Sequence, residues 1–432
     1  MNRKNAPPPA VRLPGLSYGL LGLPLAFVAL PLYVHLPKVY ASRYGVSLAT
    51  LGGVLLLARL FDALTDPWLG RVGDRLFARS HRHVLRVAVL AAVVLVAGMA
   101  LLFFPPWSNP GDPLGLLALL MFTCLAFSLL AITHQSWGAR LGGDDTHQAH
   151  LVAWREGAGL VGVVLASVLP SFLGWDAWVG VFATALAAGL WAWSRSSPPT
   201  ALTAPAAKPL HQDLLHPWRH TPFRRLMAVF LLSGMASAVP ATLVLFFIQD
   251  RLQTPALEPL FLATYFVAAA LSMPLWTRTV GRWGLSRSWL AGMLLSVTVF
   301  AWAATLSTGD IAGFIAVCAL SGLALGADLS LPGAMLAGLI AQRGDRGLRE
   351  GAYFGWWNLA SKLNLALAAG LALPMLELLG YRPGSPSPEG LWALTLAYAV
   401  LPCLLKLMAA GVLYTAFVRR LSPAPSSSAE AP

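Results

Sequence analysis

The stretch Ala58–Arg75 reads ARLFDALTDPWLGRVGDR and decides how the rest of the chain is interpreted. It places one arginine and two aspartates, Arg59, Asp62 and Asp66, in an otherwise apolar run that ends in further arginines. Their spacings of three and four residues put the three side chains on one face of a helix. If that helix spans a bilayer, each charge costs at least about 2.5–3.5 kcal/mol and must face a cavity or a partner.

The composition of the chain indicates an integral membrane protein. Of its 432 residues, 57% are hydrophobic and 11% are charged, whereas a soluble domain carries about 25% charged residues. About 20 apolar residues are needed to cross the hydrocarbon of a bilayer. Twelve runs approach that length and are predicted as spans: 14–36, 46–70, 84–104, 114–138, 151–173, 177–194, 224–249, 258–278, 288–307, 311–340, 351–377 and 390–417.

The net charge of +12 follows the predicted topology. Most Lys and Arg residues fall at the termini and in the even-numbered loops, such as Arg71 and Arg75 after segment 2. Positive residues stay on the cytoplasmic side during insertion, so both termini are predicted to be cytoplasmic, in a bacterial inner membrane. The excess of basic residues is therefore explained by the membrane topology. We expect contact with membrane lipid and no nucleic-acid partner.

The chain divides into two halves of six segments each. The stretch Pro67–Arg71 (PWLGR) after segment 2 is echoed by Pro274–Arg278 (PLWTR) after segment 8. Repeated six-helix halves are typical of secondary transporters, with the site between the halves. We therefore predict an all-α integral membrane protein with twelve transmembrane helices in two six-helix bundles. Its predicted parts are an N-terminal bundle at 1–194, a cytoplasmic linker at 195–222, a C-terminal bundle at 223–420 and a disordered tail at 421–432.

The charged face of segment 2 suits a small cation. Arg59 can pair with Asp62, and Pro67 frees the backbone carbonyl of Ala63 beside the carboxylates. Two carboxylates with a spare carbonyl suit a hard cation such as Na⁺. They equally suit a proton, because two crowded negative charges raise one pKa. The alternative is an internal salt bridge that only fixes helix packing, although Arg59 can neutralise just one of the pair Asp62 and Asp66.

Three further ionisable residues lie inside predicted spans. Lys362 in segment 11 needs a carboxylate or a wet cavity at that depth, and Asp62 and Asp66 are its candidate partners. When a cation leaves them, Lys362 can replace its charge, which would couple cation release to rearrangement. The alternative is that Lys362 extends toward the membrane surface. Asp328 in segment 10 is also intramembrane, and Lys406 in segment 12 has no evident partner in the sequence.

A polar and aromatic cluster near the end of segment 4 predicts a ligand cavity. Its members Thr133, His134, Gln135 and Trp137 are of the types that line such pockets, although a helix cannot turn all of them toward one cavity. His134 is as readily a packing residue. Arg155 at the start of segment 5 and Asn358 in segment 11 complete the predicted substrate cavity, together with Arg59.

The chain carries no sequence motif of an enzyme. It has no Walker A loop, no nucleophile elbow and no His or Cys residues at metal-ligand spacing. Its three cysteines, Cys124, Cys318 and Cys403, lie in apolar segments and are predicted to be packing residues. We therefore expect no enzymatic activity, no cofactor other than a coupling ion, and no metal other than Na⁺ at Asp62 and Asp66.

Several motifs together resemble one family. The segment 2 stretch is similar to the signature of the glycoside–pentoside–hexuronide:cation symporters, the melibiose-permease-like branch of the major facilitator superfamily. Leu16–Gly19, Trp154–Glu156 and Arg349–Gly355 followed by Lys362 agree with the same family. The resemblance implies two six-helix bundles with alternating access. It also implies that Asp62 and Asp66 act in cation coupling with Lys362 nearby, and that Arg155 lies close to the sugar path.

The sequence departs from this family where the sugar would bind. Melibiose-type members carry an acidic residue in segment 1, but the corresponding stretch Gly22–Phe27 has none. Thr133 stands where their second sugar-binding acid is expected. Hydrogen bonds from buried polar groups determine which substrates such a site accepts. The loss of both acids therefore changes the contacts that are expected with the substrate.

The main hypothesis is a monomeric secondary transporter that couples H⁺ or Na⁺ to the symport of a small polar solute, sugar-like or glycoside-like by family. One alternative keeps the fold but moves an amphiphile, such as a lysolipid or a drug-like molecule, in either direction. Another alternative is a non-transporting sensor or assembly partner. Buried charges at Asp62, Asp66 and Lys362 count against that last reading, because a scaffold does not need them.

Overall fold

A computed structural model describes residues 14–29, 31–106, 112–199, 214–384 and 387–419. Within these ranges the chain is helical between short loops and contains no strand. The predicted tail at 421–432 lies outside the described residues. Of the predicted linker, the stretches 195–199 and 214–222 are described.

Helices α1 to α6 form the first half. Helix α1 is interrupted, and the prolines Pro24, Pro31 and Pro37 explain why, since each removes a backbone donor. Its pieces are Pro14–Gly19, Gly22–Phe27, Pro31–His35 and Leu36–Tyr44. The others are α2 Leu48–Arg79, α3 His81–Phe103, α4 Pro113–Arg140, α5 Asp145–Val168 and α6 Trp175–Ser194.

Helices α7 to α12 form the second half. Helices α8 and α9 are joined within Glu258–Ala303, and Gly284, with a φ of 76°, makes the turn between them because a left-handed backbone favours glycine. The bounds are α7 Thr221–Phe246 continued by Phe247–Leu252, α8 258–283, α9 285–303, α10 Ile311–Gln342, α11 Glu350–Leu378, and α12 in the consecutive pieces Pro388–Thr395, Leu396–Val400, Leu401–Leu413 and Tyr414–Val418.

The helices account for all twelve predicted spans. Among the described residues, nine helices are long and apolar enough to cross a membrane by length and composition. One of the nine contains both α8 and α9. The interrupted α1 and the charge-bearing α2 supply the remaining two segments. The predicted all-helical membrane class is therefore confirmed, although α2 continues nine residues beyond its predicted end at 70, to Arg79.

Glycines allow the two halves to approach closely where α2 crosses α11. A Cβ added to Gly70 would lie 2.0 Å from the carbonyl oxygen of Gly351, and one added to Gly351 would lie 2.0 Å from the carbonyl oxygen of Gly70. A Cβ on Gly355 would lie 2.6 Å from the carbonyl oxygen of Asp66. Small residues at such crossings let membrane helices pack backbone against backbone. The crossing brings the charged face of α2 against α11.

The described end of the linker is packed on the second half. Trp356 of α11 donates a hydrogen bond from Nε1 to the carbonyl oxygen of Leu214 at 2.9 Å. The Trp218 ring meets the rings of Trp356 and Phe223 edge to face, at centroid distances of 5.3 and 5.5 Å. The segment from Leu214 onward is therefore held by aromatic packing against α11 and the start of α7.

The loop between α10 and α11 is held by Asp345, which is buried. Arg349 donates to Asp345 Oδ1 at 2.7 Å, and the Tyr353 hydroxyl donates to Oδ2 at 2.8 Å. Burial raises the pKa of Asp345, but the hydrogen bonds from Arg349, Tyr353 and His216 more than offset it and lower the pKa below its ordinary value. The carboxylate is therefore ionised at neutral pH.

Candidate functional site

The two aspartates of α2 surround an ammonium group from α11. Asp62 and Asp66 are buried, with 2% and 0% exposure. Lys362 Nζ lies 2.8 Å from Asp62 Oδ2 and 2.7 Å from Asp66 Oδ2. It also donates to Asp66 Oδ1 at 2.9 Å and to Ser128 Oγ of α4 at 2.8 Å. We call Asp62, Asp66, Ser128 and Lys362 the Lys362 site.

Helical spacing explains how this site forms. Asp62 and Asp66 are four residues apart and therefore share one face of α2. On α11, Gly351, Gly355 and Lys362 recur at spacings of four and seven residues, so they also share a face. Since the two glycines bring α11 against α2, the lysine on the same face reaches the carboxylates.

The side chains that surround the Lys362 ammonium present oxygen atoms. Ser128 donates from Oγ to Asp62 Oδ1 at 2.7 Å while it accepts from Lys362, which fixes the orientation of the hydroxyl. Carboxylate and hydroxyl oxygens are ligands for hard cations, and a carboxylate is also a proton acceptor. The ammonium of Lys362 therefore stands where a monovalent cation would be held. Ser128 was not a sequence-predicted site residue, because a lone hydroxyl in an apolar helix carries no spacing signal.

A cavity of about 180 Å³ lies beside this site, between α1, α4, α5 and α11. Its polar lining comes from His134, Gln135, Arg155, Glu156 and Asn358. Three of the predicted cavity residues, His134, Arg155 and Asn358, therefore line one space. Gln135, from the same cluster of segment 4, and Glu156 also line it.

The polar groups of the cavity are already paired with one another. Arg155 donates from Nε to Glu156 Oε1 at 3.0 Å. Asn358 donates from Nδ2 to Gln135 Oε1 at 2.8 Å, which joins the two halves across the cavity. Glu156 is the one carboxylate among the described lining residues, and its charge is opposed by Arg155. The cavity thus offers hydrogen-bonding groups without a free acid.

His134 is buried at the edge of the cavity. Its Nε2 lies 2.8 Å from the carbonyl oxygen of Tyr18, so Nε2 carries the hydrogen and donates. Its Nδ1 is left as an acceptor and finds no hydrogen-bond partner among the described residues. The ring also packs on Tyr18, with centroids 4.4 Å apart. His134 thus combines a packing role with one open acceptor.

Two predicted cavity residues do not line the cavity. The Thr133 hydroxyl donates to the carbonyl oxygen of Leu129 at 2.7 Å, and its methyl group faces Gly73 of α2. Trp137 is 1% exposed and donates from Nε1 to the carbonyl oxygen of Ser197 at 3.2 Å. Neither residue is among those that line the cavity of about 180 Å³. Each step along a helix turns the side chain by about 100°, so only part of the cluster can face one cavity.

Arg59 is half-buried on α2, one turn before Asp62. It is not among the described residues that line the cavity. Its predicted pairing with Asp62 stays a prediction. The contacts described for the Asp62 carboxylate are those to Ser128 and Lys362.

A second buried ion pair lies in the other half, between α10 and α12. Lys406, 2% exposed, pairs with Asp328, a partner that was not evident in the sequence. Lys406 Nζ also donates to Ser233 Oγ at 2.9 Å and Ser237 Oγ at 3.0 Å on α7. Trp289 of α9 donates to Asp328 Oδ1 at 2.9 Å. Because these partners come from four helices, no spacing along the chain could reveal the pair.

Asp328 also borders a second cavity, of about 120 Å³, inside the second half. Its wall is mainly apolar and includes the aromatic side chains of Phe261, Tyr265, Phe300 and Tyr398. This cavity can hold an apolar group with one polar edge at Asp328.

A third ionic cluster closes the end of the molecule at which the arginine-rich ends of α2 and α3 meet. Asp74 of α2 accepts from the backbone N–H groups of Gly351 and Ala352 at 2.8 and 3.0 Å, at the start of α11. Arg140 of α4 pairs with Asp74 at 3.1 Å and with Glu350 at 2.9 Å. All three charged side chains are buried. We call Asp74, Arg140 and Glu350 the basic-end cluster; it fastens the first half to the second.

The sequence matches the MFS/sugar transport protein family over residues 14–418. It is 23% identical over 259 residues to the inner membrane symporter YicJ of Escherichia coli K12, and the match covers 55% of each chain. The chain thus spans about half the length of that relative.

Solved structures share the fold across nearly the whole chain. The crystal structure of a bacterial homologue of the iron transporter ferroportin, in an outward-facing state, has a TM-score of 0.69 at 16% identity, covering 94% of this chain and 98% of that one. The human organic anion transporter MFSD10 gives 0.65 at 17% identity, covering 93% and 99%. Twelve helices in two halves, the family match and these neighbours agree with the resemblance seen in the sequence. The chain belongs to the MFS/sugar transport protein family and has the major facilitator fold.

Proposed function

We propose that the protein is a cation-coupled symporter that carries a small polar solute by alternating access. The observation that carries this proposal is the position of the Lys362 ammonium, held by Asp62, Asp66 and Ser128. Buried charges that only hold helices together are costly. A site that exchanges one cation for another would give these buried charges a functional role.

The proposed coupling step is an exchange of cations. A proton or Na⁺ reaching Asp62 and Asp66 replaces Lys362, whose side chain is 24% exposed. Asn358 lies one turn before Lys362 on α11 and lines that cavity. Release of the lysine then changes the polar surface that a solute meets. Cation binding and solute binding would favour each other through this shared side chain.

The proposed solute is a sugar-like or glycoside-like molecule with several hydroxyl groups. His134, Gln135, Arg155, Glu156 and Asn358 supply both donors and acceptors around the cavity. The relative YicJ is named a symporter, which favours the same mode for this chain. We also propose a monomer in a bacterial inner membrane with both termini cytoplasmic, as the basic loops indicate.

The test is an uptake screen in proteoliposomes with imposed Na⁺ or H⁺ gradients. Solutes that accumulate only with a gradient identify both the substrate and the ion. Asp66→Asn and Asp62→Asn should each abolish accumulation, because the site loses the charge that holds the ion. If both variants accumulate solute with wild-type gradient dependence, the coupling assignment is wrong.

The aromatic cavity beside Asp328 favours a second candidate, transport of an amphiphile. Phe261, Tyr265 and Phe300 offer an apolar surface that a free sugar does not need. Thermal stabilisation of the purified protein separates the two candidates. Saturable stabilisation by glycosides supports the first, and stabilisation by lysolipids or drug-like amphiphiles supports the second. The absence of gradient-driven uptake across a broad metabolite panel would favour a non-transporting sensor.

A further inference from the structure

We infer that His216, His220 and Asp345 form a binding site for a divalent transition-metal ion of the zinc class. The site lies where the end of the linker meets the loop between α10 and α11, apart from the Lys362 site and the central cavity. It uses none of the residues of the proposed coupling step, so the two proposals stand or fall separately.

The three donor atoms converge as ligands around one ion do. His216 Nε2 lies 3.0 Å from Asp345 Oδ2 and 3.2 Å from His220 Nε2, and His220 Nε2 lies 3.9 Å from Asp345 Oδ2. Zinc bonds of about 2.0–2.1 Å in tetrahedral geometry place neighbouring ligand atoms about 3.3 Å apart. The three observed separations bracket that value.

The chemistry of the donors selects the ion class. Two imidazole nitrogens and one carboxylate oxygen suit Zn²⁺, Co²⁺ and Ni²⁺ better than Mg²⁺ or Ca²⁺, which prefer oxygen alone. Each neutral imidazole has one N–H, so at most two protons are available to the three close contacts. A metal ion would satisfy all three atoms at once. Three protein ligands leave one tetrahedral position for water.

The residues around the site hold the ligands in place. His216 and His220 flank the short helix Pro217–Arg219, and Trp218 within it packs on Trp356. The Tyr353 hydroxyl donates to Asp345 Oδ2 at 2.8 Å, so one lone pair of that oxygen remains for a metal. Outer hydrogen bonds of this kind orient metal ligands.

Neighbouring positive charges, Arg343 and Arg349, oppose metal binding. Arg349 Nη1 donates to Asp345 Oδ1 at 2.7 Å and lies 3.5 Å from His216 Nε2. Its positive charge lowers the affinity for a cation through direct repulsion. We therefore expect that Arg349→Gln, which removes the charge and keeps hydrogen-bonding capacity, tightens metal binding.

A bound ion would connect the linker to the loop that contacts the basic-end cluster. That loop carries Gly347, whose carbonyl oxygen accepts from Arg140 Nη1 at 2.7 Å. Asp345 lies two residues before Gly347. Metal occupancy would thus restrain a segment that contacts the junction between the two halves.

The experiment is isothermal titration of Zn²⁺, and of Co²⁺ with an absorption readout, into the purified full chain. The protein carries no His tag and is first freed of metal with a chelator. We expect one ion per chain and Co²⁺ bands of a four-coordinate site. His220→Ala, at a half-exposed position, should weaken binding by at least about tenfold, since loss of even an outer-shell partner costs 10–100-fold.

Matched variants decide the assignment. His150→Ala removes an exposed histidine elsewhere and should leave the affinity unchanged. Asp345→Asn should weaken binding and Arg349→Gln should strengthen it. Binding that is equal in the wild type and His220→Ala, or no saturable Zn²⁺ binding by the wild type, would overturn the proposal. Neither result bears on transport, which is measured separately.

Discussion

In the proposed coupling step, single side chains set the affinity of the Lys362 site for its cation. Asp62 and Asp66 supply charge, whereas Ser128 supplies one oxygen and one hydrogen bond to Asp62 Oδ1. Each role has a different consequence on removal. Loss of a carboxylate removes negative charge that attracts the cation. Loss of the hydroxyl leaves that charge in place but removes one oxygen ligand.

We predict that Ser128→Ala retains coupled uptake but requires about tenfold more ion for half-maximal rate. The estimate follows from about 1.5–3 kcal/mol for a hydrogen bond to a charged group. The measurement is the ion dependence of uptake at a fixed solute concentration. Ser167→Ala is the control, since Ser167 is exposed on α5 and bonds only within its own helix. An unchanged ion dependence in Ser128→Ala would exclude the hydroxyl from the site.

The Asp328–Lys406 pair is a second residue-scale test. Removing one partner of a buried pair leaves an uncompensated charge and costs about 3–5 kcal/mol of stability. Asp328→Asn and Lys406→Met should therefore each lower the unfolding temperature markedly. The double variant should recover much of the loss, because no lone charge remains. Additive losses in the double variant would show that the two groups are not coupled. Thermal unfolding in detergent provides the measurement.

At the scale of elements, the close crossing of α2 and α11 depends on glycines. A methyl group on Gly355 would lie 2.6 Å from the carbonyl oxygen of Asp66, whereas one on Gly370 of the same helix meets no heavy atom within 4 Å. The two glycines therefore make a matched pair of positions.

We predict that Gly355→Ala separates α2 from α11 and that Gly370→Ala does not. The measurement is the distance between spin labels at Arg79→Cys and Arg343→Cys, both exposed, in a chain whose native cysteines Cys124, Cys318 and Cys403 have been replaced. The label distance should lengthen in Gly355→Ala because backbone contact at the crossing is no longer possible. A distance distribution like that of Gly370→Ala would mean that the crossing tolerates a side chain.

The same elements show what the sequence could predict. Apolar runs located the spans, and the charges of α2 identified Asp62 and Asp66 as a site because burying them has a large cost. Helical spacing alone could not say that Thr133 and Trp137 turn away from the cavity, since that depends on how α4 is rotated in the bundle. The partner of Lys406 was equally hidden, because Asp328 is far away in sequence.

At the scale of the whole molecule, the basic-end cluster would stabilise one of the two arrangements that the proposed alternating access requires. Arg140 contacts Asp74 of its own half and Glu350 of the other. Asp74 accepts two backbone hydrogen bonds from the start of α11, where the helix dipole also favours a negative charge. Opening this end requires that these contacts break together.

We predict that Arg140→Gln increases opening at the basic end by at least about tenfold, because it removes charged hydrogen bonds worth about 1.5–3 kcal/mol each. Opening is read from the rate at which an impermeant thiol reagent, added at that face, labels Ala131→Cys in the cavity. Arg86→Gln, an exposed change on α3, should label at the wild-type rate. Equal labelling in Arg140→Gln and Arg86→Gln would show that the cluster does not control access.

The count of charges around Lys362 has an electrical consequence. In the proposed coupling step, with both carboxylates ionised, two carboxylates and one ammonium give the empty site one net negative charge. A bound proton or sodium ion neutralises it, so the loaded carrier reorients without moving net charge from this site. The empty carrier instead carries a negative charge through part of the membrane field, where one elementary charge across 100 mV is worth about 2.3 kcal/mol. An interior-negative voltage would therefore speed the return of the empty carrier to the outward-facing state.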